Sequence, residues 1–336
     1  MAREEKASVW SSYTEADKEA LEKLAAGYRD FLSTCKTERE SVVEAVRQAK
    51  AAGYRDLCDV LQAGEKLKAG DKVYAVNMKK SIVLFQIGED PLEKGLAILG
   101  AHIDTCRLDV KQNPLYEDGG LAYLDTHYYG GIKKYQWVTL PLALHGVVVK
   151  KDGTVVEIRI GEEEGDPVFC VTDLLIHLSQ EQMKKNAAKV IEGEDLDILV
   201  GNYPLKDGEK ESVKAGVLKL IEEQYGIEEE DFLSAELEIV PAFNAKSLGF
   251  DRSMVAGYGQ DDKVCAYTSL KAICEVENPK KTAVCILVDK EEIGSVGITG
   301  MASRSVEFFL RKLCDKTGAD YVRCVENSVC LSADVG

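Results

Sequence analysis

The sequence predicts an α/β protein whose mixed sheet belongs to one domain, with a second, mainly β domain inserted into it. The apolar run 284–288 (VCILV) has the length and β-branched content of a strand that is buried on both faces. Apolar residues at helical spacing predict helices in the first 53 residues. Between these regions, short alternating segments predict a series of strands. We therefore assign residues 1–109 and 241–336 to one domain and residues 110–240 to the insertion.

The charge and the cysteines of the chain limit its partners and compartment. Its 336 residues include 42 basic and 58 acidic ones, and the net charge of −16 disfavours nucleic acid and anionic membrane surfaces as partners. No apolar run is long enough for a membrane span and no secretory signal precedes the first helix, so we expect a cytoplasmic protein. The ten cysteines form no CxxC pair, which favours buried thiols over disulfides or thiolate metal ligands.

The first 109 residues combine two helices with three strands. Thr14 begins a predicted helix with the apolar face Leu21, Leu24, Tyr28 and Phe31. Thr37 and Glu40 form a predicted capping box for a second helix, which ends before Gly53. Segments 73–76 and 81–87 then predict an antiparallel strand pair, and the strand 96–99 leads into the sequence GAHID.

The short alternating segments and turn residues of the inserted region are typical of a β domain. Its predicted strands are 121–126, 135–140, 144–150 and 154–160, and Asp152-Gly153 indicates a hairpin between the last two. Helices are predicted over 174–183 and 213–224. At the end of the insertion and beyond it, the pattern predicts strands at 236–240, 253–259 and 328–331, a helix that starts near Val264, and another over 306–313. We interpret His127 and His145 as structural residues.

Four clusters of potential metal ligands follow predicted strands or begin a helix. They are His102 with Asp104, Asp261 with Asp262, Glu291 with Glu292, and Asp334. Separately, these could be a hydrogen-bonded loop pair, a helix cap, a solvated turn and a terminal charge. Together they supply an imidazole and several hard oxygen ligands, a mixture that suits Zn²⁺ and also Mn²⁺ or Co²⁺.

The spacing within these clusters has a chemical use. One ring nitrogen of His102 can bind a metal while Asp104 holds the other ring N–H. Adjacent glutamates can divide their work, one binding the metal and the other accepting a proton, because a nearby dication keeps both ionised. The spacing leaves open which glutamate does which, and which aspartate of the 261–262 pair binds.

The same residues carry a resemblance to a known family. AHID at 101–104, GQDDK at 259–263, DKEEIGS at 289–295 and SADVG at 332–336 resemble the aspartyl aminopeptidase family of dinuclear zinc metallopeptidases. Within the insertion, YYGGIKKYQW at 128–137 and LLIHLSQEQ at 174–182 are similar to that family's middle domain. The resemblance covers essentially the whole chain. It implies a zinc-exopeptidase-like fold for the catalytic domain and a dimerisation or lid role for the insertion.

The resemblance implies a role for each matched residue. His102 and Glu292 would bind different zinc ions of a pair, Asp261 would bridge both, and Asp334 would be a further ligand. Asp104 would orient His102, and Glu291 would be the general base. His177 would contact substrate or stabilise the oxyanion, although it could also be an ordinary histidine on an apolar helix face. The family further implies dimers that assemble into twelve-subunit particles.

One departure from the family pattern concerns the C-terminal ligands. Family members supply a second histidine ligand after the SADVG motif, whereas this sequence has no histidine after His177. We therefore expect an incomplete site in the chain as given. Three functions follow: a cytoplasmic aminopeptidase acting on peptides, a non-catalytic assembly unit, and a dinuclear-zinc deacylase or carboxypeptidase. The resemblance suggests N-terminal Asp or Glu as substrates, and related branches cleave other residues.

Overall fold

The helices and strands fall into two main sheets with helices packed on the first. The structure is a computed structural model that describes residues 8–206 and 209–335, so Gly336 of the SADVG motif lies outside it. The α-helices of the described residues are α1 (Glu15–Thr34), α2 (Glu38–Ala51), α3 (Leu57–Gln62), α4 (Ser212–Tyr225), α5 (Gln260–Glu275), α6 (Ser305–Thr317) and α7 (Tyr321–Glu326). The strands are β1 (Arg55–Asp56), β2 (Lys72–Asn77), β3 (Ser81–Gln86), β4 (Ala97–His102), β5 (Arg107–Asp118), β6 (Leu121–Tyr129), β7 (Leu142–Val149), β8 (Val155–Ile160), β9 (Cys170–Val171), β10 (Ile198–Gly201), β11 (Ala235–Pro241), β12 (Lys246–Leu248), β13 (Met254–Ala256), β14 (Ala283–Val288) and β15 (Val329–Ser332).

The first sheet is mixed, as the sequence predicts. Its six strands have the order β1-β2-β3-β14-β4-β15. The predicted pair β2 and β3 is antiparallel, and β3 is also antiparallel to β14. In contrast, β4 runs parallel to both β14 and β15. The carboxyl ends of these three strands therefore lie at one edge of the sheet.

Both faces of this sheet are covered by helices. On β3, Ile82 and Leu84 join a core cluster with α1, α2 and α5, whereas Val83 and Phe85 join a cluster with α3, α6 and α7. The inner residues of β14 are buried on both faces, which confirms the prediction for 284–288. Each apolar side chain of this size stabilises the fold by roughly 1.5–3 kcal/mol when it is fully buried.

The second sheet contains seven antiparallel strands in the order β8-β7-β11-β5-β6-β10-β9, and it has its own apolar core. The predicted hairpin at Asp152-Gly153 joins β7 and β8 and is confirmed. β5 begins at Arg107, so a boundary after residue 109 would cut through a strand. β12 and β13 form a separate two-stranded hairpin after this sheet.

The local signals at the N-terminal helices are also confirmed. Thr14 caps α1, and its side chain exchanges hydrogen bonds with Asp17. Thr37 and Glu40 form the predicted capping box of α2. Such caps each stabilise a helix by about 1 kcal/mol because they satisfy backbone N–H groups that have no partner inside the helix.

Three predictions for the insertion differ from the structure. Segment 135–140 is not a strand, and its first two residues belong to a short 3-10 helix, Lys134–Gln136. Segment 174–183 is irregular and ends in the 3-10 helix Gln182–Lys184, because its apolar side chains have no core to pack against and are mostly exposed. The twelve-residue strand β5 was not predicted, since its polar centre KQN and Pro114 interrupt the alternation and coincide with a register shift.

Buried charges join the second sheet to α2. The Glu162 carboxylate lies 3.4 Å from Lys36 Nζ, 3.4 Å from His145 Nε2 and 2.9 Å from the Arg159 guanidinium. His145 Nδ1 contacts Glu40 at 2.9 Å. Burial alone would raise the pKa of Glu162, but its contacts with His145 and Lys36 lower it to about 2. Burial alone would lower the pKa of His145, but its contacts with Glu162 and Glu40 raise it.

No helix of the described residues is long and apolar enough to cross a bilayer.

The buried Glu162 cluster predicts a stability difference that depends on pH. The depressed pKa of Glu162 means that its contribution is present above its ordinary value of 4.5 and is lost as the pH falls toward 2. The raised pKa of His145 means that its contribution is present below 6.5 and is lost as the pH rises through the folded-state value. We expect Glu162→Gln to lower the free energy of unfolding by roughly 2–3 kcal/mol at a pH of about 5.5.

Urea denaturation at several pH values measures this difference. The loss of stability should shrink as the pH falls toward 2, where a growing fraction of the unsubstituted carboxylate is itself protonated. The neighbouring Glu163 is exposed, so Glu163→Gln provides a matched control with little effect. Equal losses in the two variants would contradict a stabilising role for the Glu162 cluster.

Candidate metal centre

The candidate site lies at the carboxyl edge of the three parallel strands of the first sheet. β4 ends at His102, β14 ends directly before the segment that contains Glu291, and β15 ends directly before the segment that contains Asp334. Asp261 lies at the amino end of α5, which packs against β4. Four of the predicted site residues therefore meet at one edge because of how the strands pair.

His102 is at the centre of this group. Its Nε2 lies 3.1 Å from Asp261 Oδ1, 3.7 Å from Asp334 Oδ1 and 3.8 Å from Glu291 Oε2. One ligand atom each from His102, Asp261 and Asp334 can be chosen so that all lie within 4.8 Å of one another. A single cation could contact all three, and an imidazole with carboxylates is a donor set that suits zinc.

The electrostatics of this group also favour a cation. The His102 side chain is only 2% exposed, whereas those of Asp261, Asp334 and Glu291 are about half exposed and form an open wall of carboxylates. Burial would lower the pKa of His102, but the hydrogen bond and charge of Asp104 and the charges of the neighbouring aspartates raise it to about 9. Without a metal, the site therefore attracts a proton to the imidazole. A metal ion would supply that positive charge instead.

Asp104 holds the other side of the imidazole. Both its carboxylate Oδ1, at 3.3 Å, and its backbone carbonyl, at 3.0 Å, lie next to His102 Nδ1. The fully buried carboxylate also accepts the backbone N–H groups of Glu291 and Glu292, each at 3.2 Å. Tyr129 donates its hydroxyl to Asp104 Oδ2 at 2.7 Å. Burial would raise the pKa of Asp104, but its contacts with His102 and Tyr129 lower it.

Asp261 and Asp262 point in different directions although they are adjacent. Both have non-helical backbone conformations, so the regular part of α5 begins after them. Asp261 faces His102 Nε2 and solvent, as a ligand would. Asp262 is fully buried, and its Oδ2 accepts the backbone N–H of His102 at 3.4 Å. This geometry supports Asp261 rather than Asp262 as the metal ligand.

Glu291 and Glu292 also separate. They begin a 3-10 helix, Glu291–Ile293, which follows Lys290 in a left-handed conformation. Glu291 faces His102, and its pKa is raised by burial and by the charges of Asp334 and Glu292, while His102 opposes this shift. The three-residue group that can share one cation does not include Glu292.

The backbone of Gly130 lies close to Glu292 and Cys106. A Cβ atom at Gly130 would lie 2.6 Å from Cys106 Sγ and 3.4 Å from Glu292 Oε2, and Gly130 has a φ of +74°. Gly130 follows β6 directly, so the second sheet reaches the site here. Only glycine allows both this conformation and this proximity.

His177 lies in an exposed turn of the inserted region and not on a helix. Within the described part of the chain, its side chain has no hydrogen bond or ion pair with the residues around His102. The adjacent Leu174, Leu175, Ile176 and Leu178 are each more than half exposed. The role of His177 in substrate binding stays a prediction.

Sequence reasoning missed Tyr129 as part of this site. Its position in the segment 128–137 contributes to the family resemblance, but neither spacing nor periodicity indicates a partner for its hydroxyl. The contact joins the last residue of β6 to Asp104 in the loop after β4, and it becomes visible only in the tertiary structure.

Comparisons with known proteins give a consistent result. The family model described as "Aminopeptidase I zinc metalloprotease (M18)" matches residues 31–336. A probable M18 family aminopeptidase 1 of Clostridium acetobutylicum is 57% identical over 336 residues, which cover 98% of this chain and 72% of the relative. The crystal structure of an M18 family aminopeptidase from Thermotoga maritima has a TM-score of 0.92 at 43% identity and covers 99% of this chain and 73% of that one. A yeast mApe1 dodecamer, at 21% identity and a TM-score of 0.73, shares the fold over 94% of this chain and 72% of its own.

The position of His102 predicts a specific loss of zinc. We expect His102→Ala to weaken zinc binding by more than about 100-fold, because it removes the only buried nitrogen donor of the group. Competition with a chromophoric chelator measures the affinity. His127→Ala, at an exposed histidine of the second sheet, is the matched control and should bind zinc as tightly as the unsubstituted chain. Unchanged zinc affinity in His102→Ala would exclude His102 as a ligand.

Proposed function

The chain belongs to the M18 peptidase family of zinc metalloprotease aminopeptidases, and from that premise we propose how its own residues perform the reaction. In this proposal it removes the N-terminal residue of peptides at a centre of two zinc ions, for which Mn²⁺ or Co²⁺ could substitute. The observation that carries the proposal is the group of His102, Asp261 and Asp334 at the carboxyl edge of the sheet. The proposed ligands are His102, Asp261, Glu292 and Asp334.

The positions of the ligands support two metal positions rather than one. Asp261 lies next to His102 and has a second carboxylate oxygen, so it can bridge. Glu292 is outside the group around His102, which fits a ligand of the other ion. When bound, zinc ions supply a Lewis acid that polarises the substrate carbonyl and makes a nearby water more acidic.

Glu291 is the proposed general base. Its Oε2 lies 3.8 Å from His102 Nε2, its side chain is about half exposed, and its backbone N–H is held by Asp104. A carboxylate placed beside the proposed ligands and open to solvent can accept a proton from a water, which is the task of a general base. Glu291 would accept a proton from the attacking water and donate it to the departing amine. Asp104 would keep Glu291 and His102 in a fixed relation through its shared carboxylate.

The substrate class and location complete the proposal. The resemblance suggests peptides with N-terminal Asp or Glu, and we propose that His177 contacts them. We also propose a cytoplasmic location, which is supported by the state of the cysteines: all ten are free thiols, as expected in a reducing compartment.

A homo-oligomer is the proposed assembly, with dimers as units of a dodecamer. The exposed apolar segment 174–178 supports it, because four large apolar side chains within five residues are seldom left in water. A dodecameric yeast protein with this fold provides a precedent.

The proposed roles of Glu291 and Glu292 predict different effects of a Glu→Gln substitution at the two positions. We expect Glu291→Gln to lower kcat by about 10²- to 10⁴-fold while zinc content is unchanged, because only the proton acceptor is lost. Glu292→Gln should instead lower zinc content. Hydrolysis of peptides with a free N-terminus, together with metal analysis of the same samples, separates the two effects.

N-acetylated peptides serve as the substrate control for this experiment. An aminopeptidase should not cleave them, whereas a carboxypeptidase should. Retained turnover in Glu291→Gln would rule out its role as the base. Cleavage of the acetylated peptides at their C-terminus would rule out the aminopeptidase reaction.

The proposed interface predicts that charge in the apolar segment dissociates the assembly. We expect Leu175→Asp combined with Leu178→Asp to shift the protein to smaller species in sedimentation velocity, since burying a carboxylate in an apolar contact is unfavourable. Leu220→Asp, at an exposed apolar position of α4, is the control. An unchanged size distribution would contradict an interface at 174–178.

A further inference from the structure

Tyr129 is a residue of the second sheet whose side chain reaches the candidate metal centre. It is the last residue of β6, and its ring is buried. Its hydroxyl donates to Asp104 Oδ2 at 2.7 Å, the shortest of the hydrogen bonds that this carboxylate accepts. An ionised carboxylate can only accept hydrogen bonds and a phenol can donate one, so Tyr129 is the donor and Asp104 the acceptor.

The ring of Tyr129 is itself held in place. The guanidinium carbon of Arg107 lies 3.9 Å from the ring centroid, which is a close cation–π contact. Arg107 is buried and contacts Asp109 at 2.8 Å, Glu238 at 3.1 Å and Glu38 at 3.4 Å. Because three carboxylates hold the guanidinium, it gives the ring a fixed surface to pack against.

The carboxylate that receives this hydroxyl controls two parts of the site. Asp104 Oδ2 accepts from Tyr129 and from the Glu292 N–H, and Oδ1 accepts from the Glu291 N–H and lies beside His102 Nδ1. The two backbone hydrogen bonds are long, at 3.2 Å, and are sensitive to a small rotation of the carboxylate. The Tyr129 hydroxyl opposes such a rotation.

We propose that Tyr129 is a positioning residue, through which the second sheet fixes both the imidazole of His102 and the backbone of Glu291 and Glu292. The inference rests on the proposed metal centre, because its consequence for activity acts through His102 and Glu291. Within the described residues, the Tyr129 hydroxyl bonds to Asp104 and to none of the proposed ligands His102, Asp261, Glu292 and Asp334. It acts through Asp104, as partners of metal-binding histidines do in other sites.

Tyr129→Phe tests this role without disturbing the packing, since it keeps the ring and the contact with Arg107 and removes only the hydroxyl. Tyr128→Phe is the matched control. Tyr128 is adjacent in β6 and 38% exposed, and its hydroxyl has no hydrogen bond within the described residues. Thermal unfolding of both metal-free variants checks that each is folded.

Two measurements report the positioning. The first is hydrogen–deuterium exchange of the metal-free protein, in which we expect the amides of Glu291 and Glu292 to exchange about tenfold faster in Tyr129→Phe than in Tyr128→Phe. The second is zinc affinity by chelator competition, which should fall about tenfold in Tyr129→Phe alone. In turnover assays at saturating zinc, kcat should fall while KM changes little, because ground-state binding of the peptide is intact.

The outcomes distinguish this inference from the function on which it rests. Equal amide exchange in the two variants would overturn the positioning role whatever the zinc result. Equal zinc affinity in Tyr129→Phe and the unsubstituted chain would overturn its effect on the metal centre. If the unsubstituted chain bound no zinc, the proposed function would fail, and the amide exchange alone would decide whether Tyr129 positions the Glu291 and Glu292 backbone.

Discussion

The parallel pairing of β4 with β14 on one side and β15 on the other is the constraint on which the site depends. Parallel strands end at the same edge of a sheet, so the segments that follow them are brought together. Here Val288 pairs with His102, and Ser332 pairs with Gly100. Three parts of the chain that are far apart in sequence therefore end side by side. A one-residue slip in either pairing would turn the alternate side chains to the opposite face.

The charge that this pairing concentrates would be unfavourable without compensation. Carboxylates of Asp261, Asp334 and Glu291 surround the imidazole of His102. Asp104 and the charges of the neighbouring aspartates raise the pKa of His102 against the effect of burial, and burial together with the charge of Asp334 raises that of Glu291. Asp104 is compensated differently, since it is buried but accepts hydrogen bonds from several donors. The exposed carboxylates have fewer such contacts: Asp334 Oδ1 accepts the backbone N–H of Val335 at 2.7 Å, and Asp261 Oδ1 lies 3.1 Å from His102 Nε2. Their remaining negative charge favours binding of a cation in their midst.

Buried charged side chains connect the second sheet to the first. Arg107 lies between Glu38 and Glu238, and Lys80 contacts Glu38 at 2.8 Å. Burial alone would raise the pKa of Glu38, but the charges of Arg107 and Lys80 lower it. The pKa of Glu238 is raised instead, by burial and by the charge of Glu38. Removing one partner would leave a buried charge unpaired, which typically costs about 3–5 kcal/mol. Arg107 belongs to this network and also packs on the ring of Tyr129. One residue therefore connects the interface between the sheets with the surroundings of the metal centre.

The sequence by itself determined the local features of this protein. The capping boxes at Thr14 and Thr37, the buried strand β14 and the hairpin at Asp152-Gly153 follow from neighbouring residues and are present in the structure. The site residues at strand ends were identifiable because apolar strands followed by acidic residues form a local pattern. Segment 174–183 was predicted wrongly because its apolar spacing resembles a helix, although no core is available for it to pack against.

Only the tertiary structure decided which of these residues meet. It directs Asp261 toward His102 and Asp262 into the interior, and it separates Glu292 from the group around His102. It also brings Tyr129 of the second sheet to Asp104 in the loop that follows β4. Periodicity reports the environment along one element, but a contact between elements depends on strand register and packing. Those are properties of the whole fold, and no local stretch of sequence contains them.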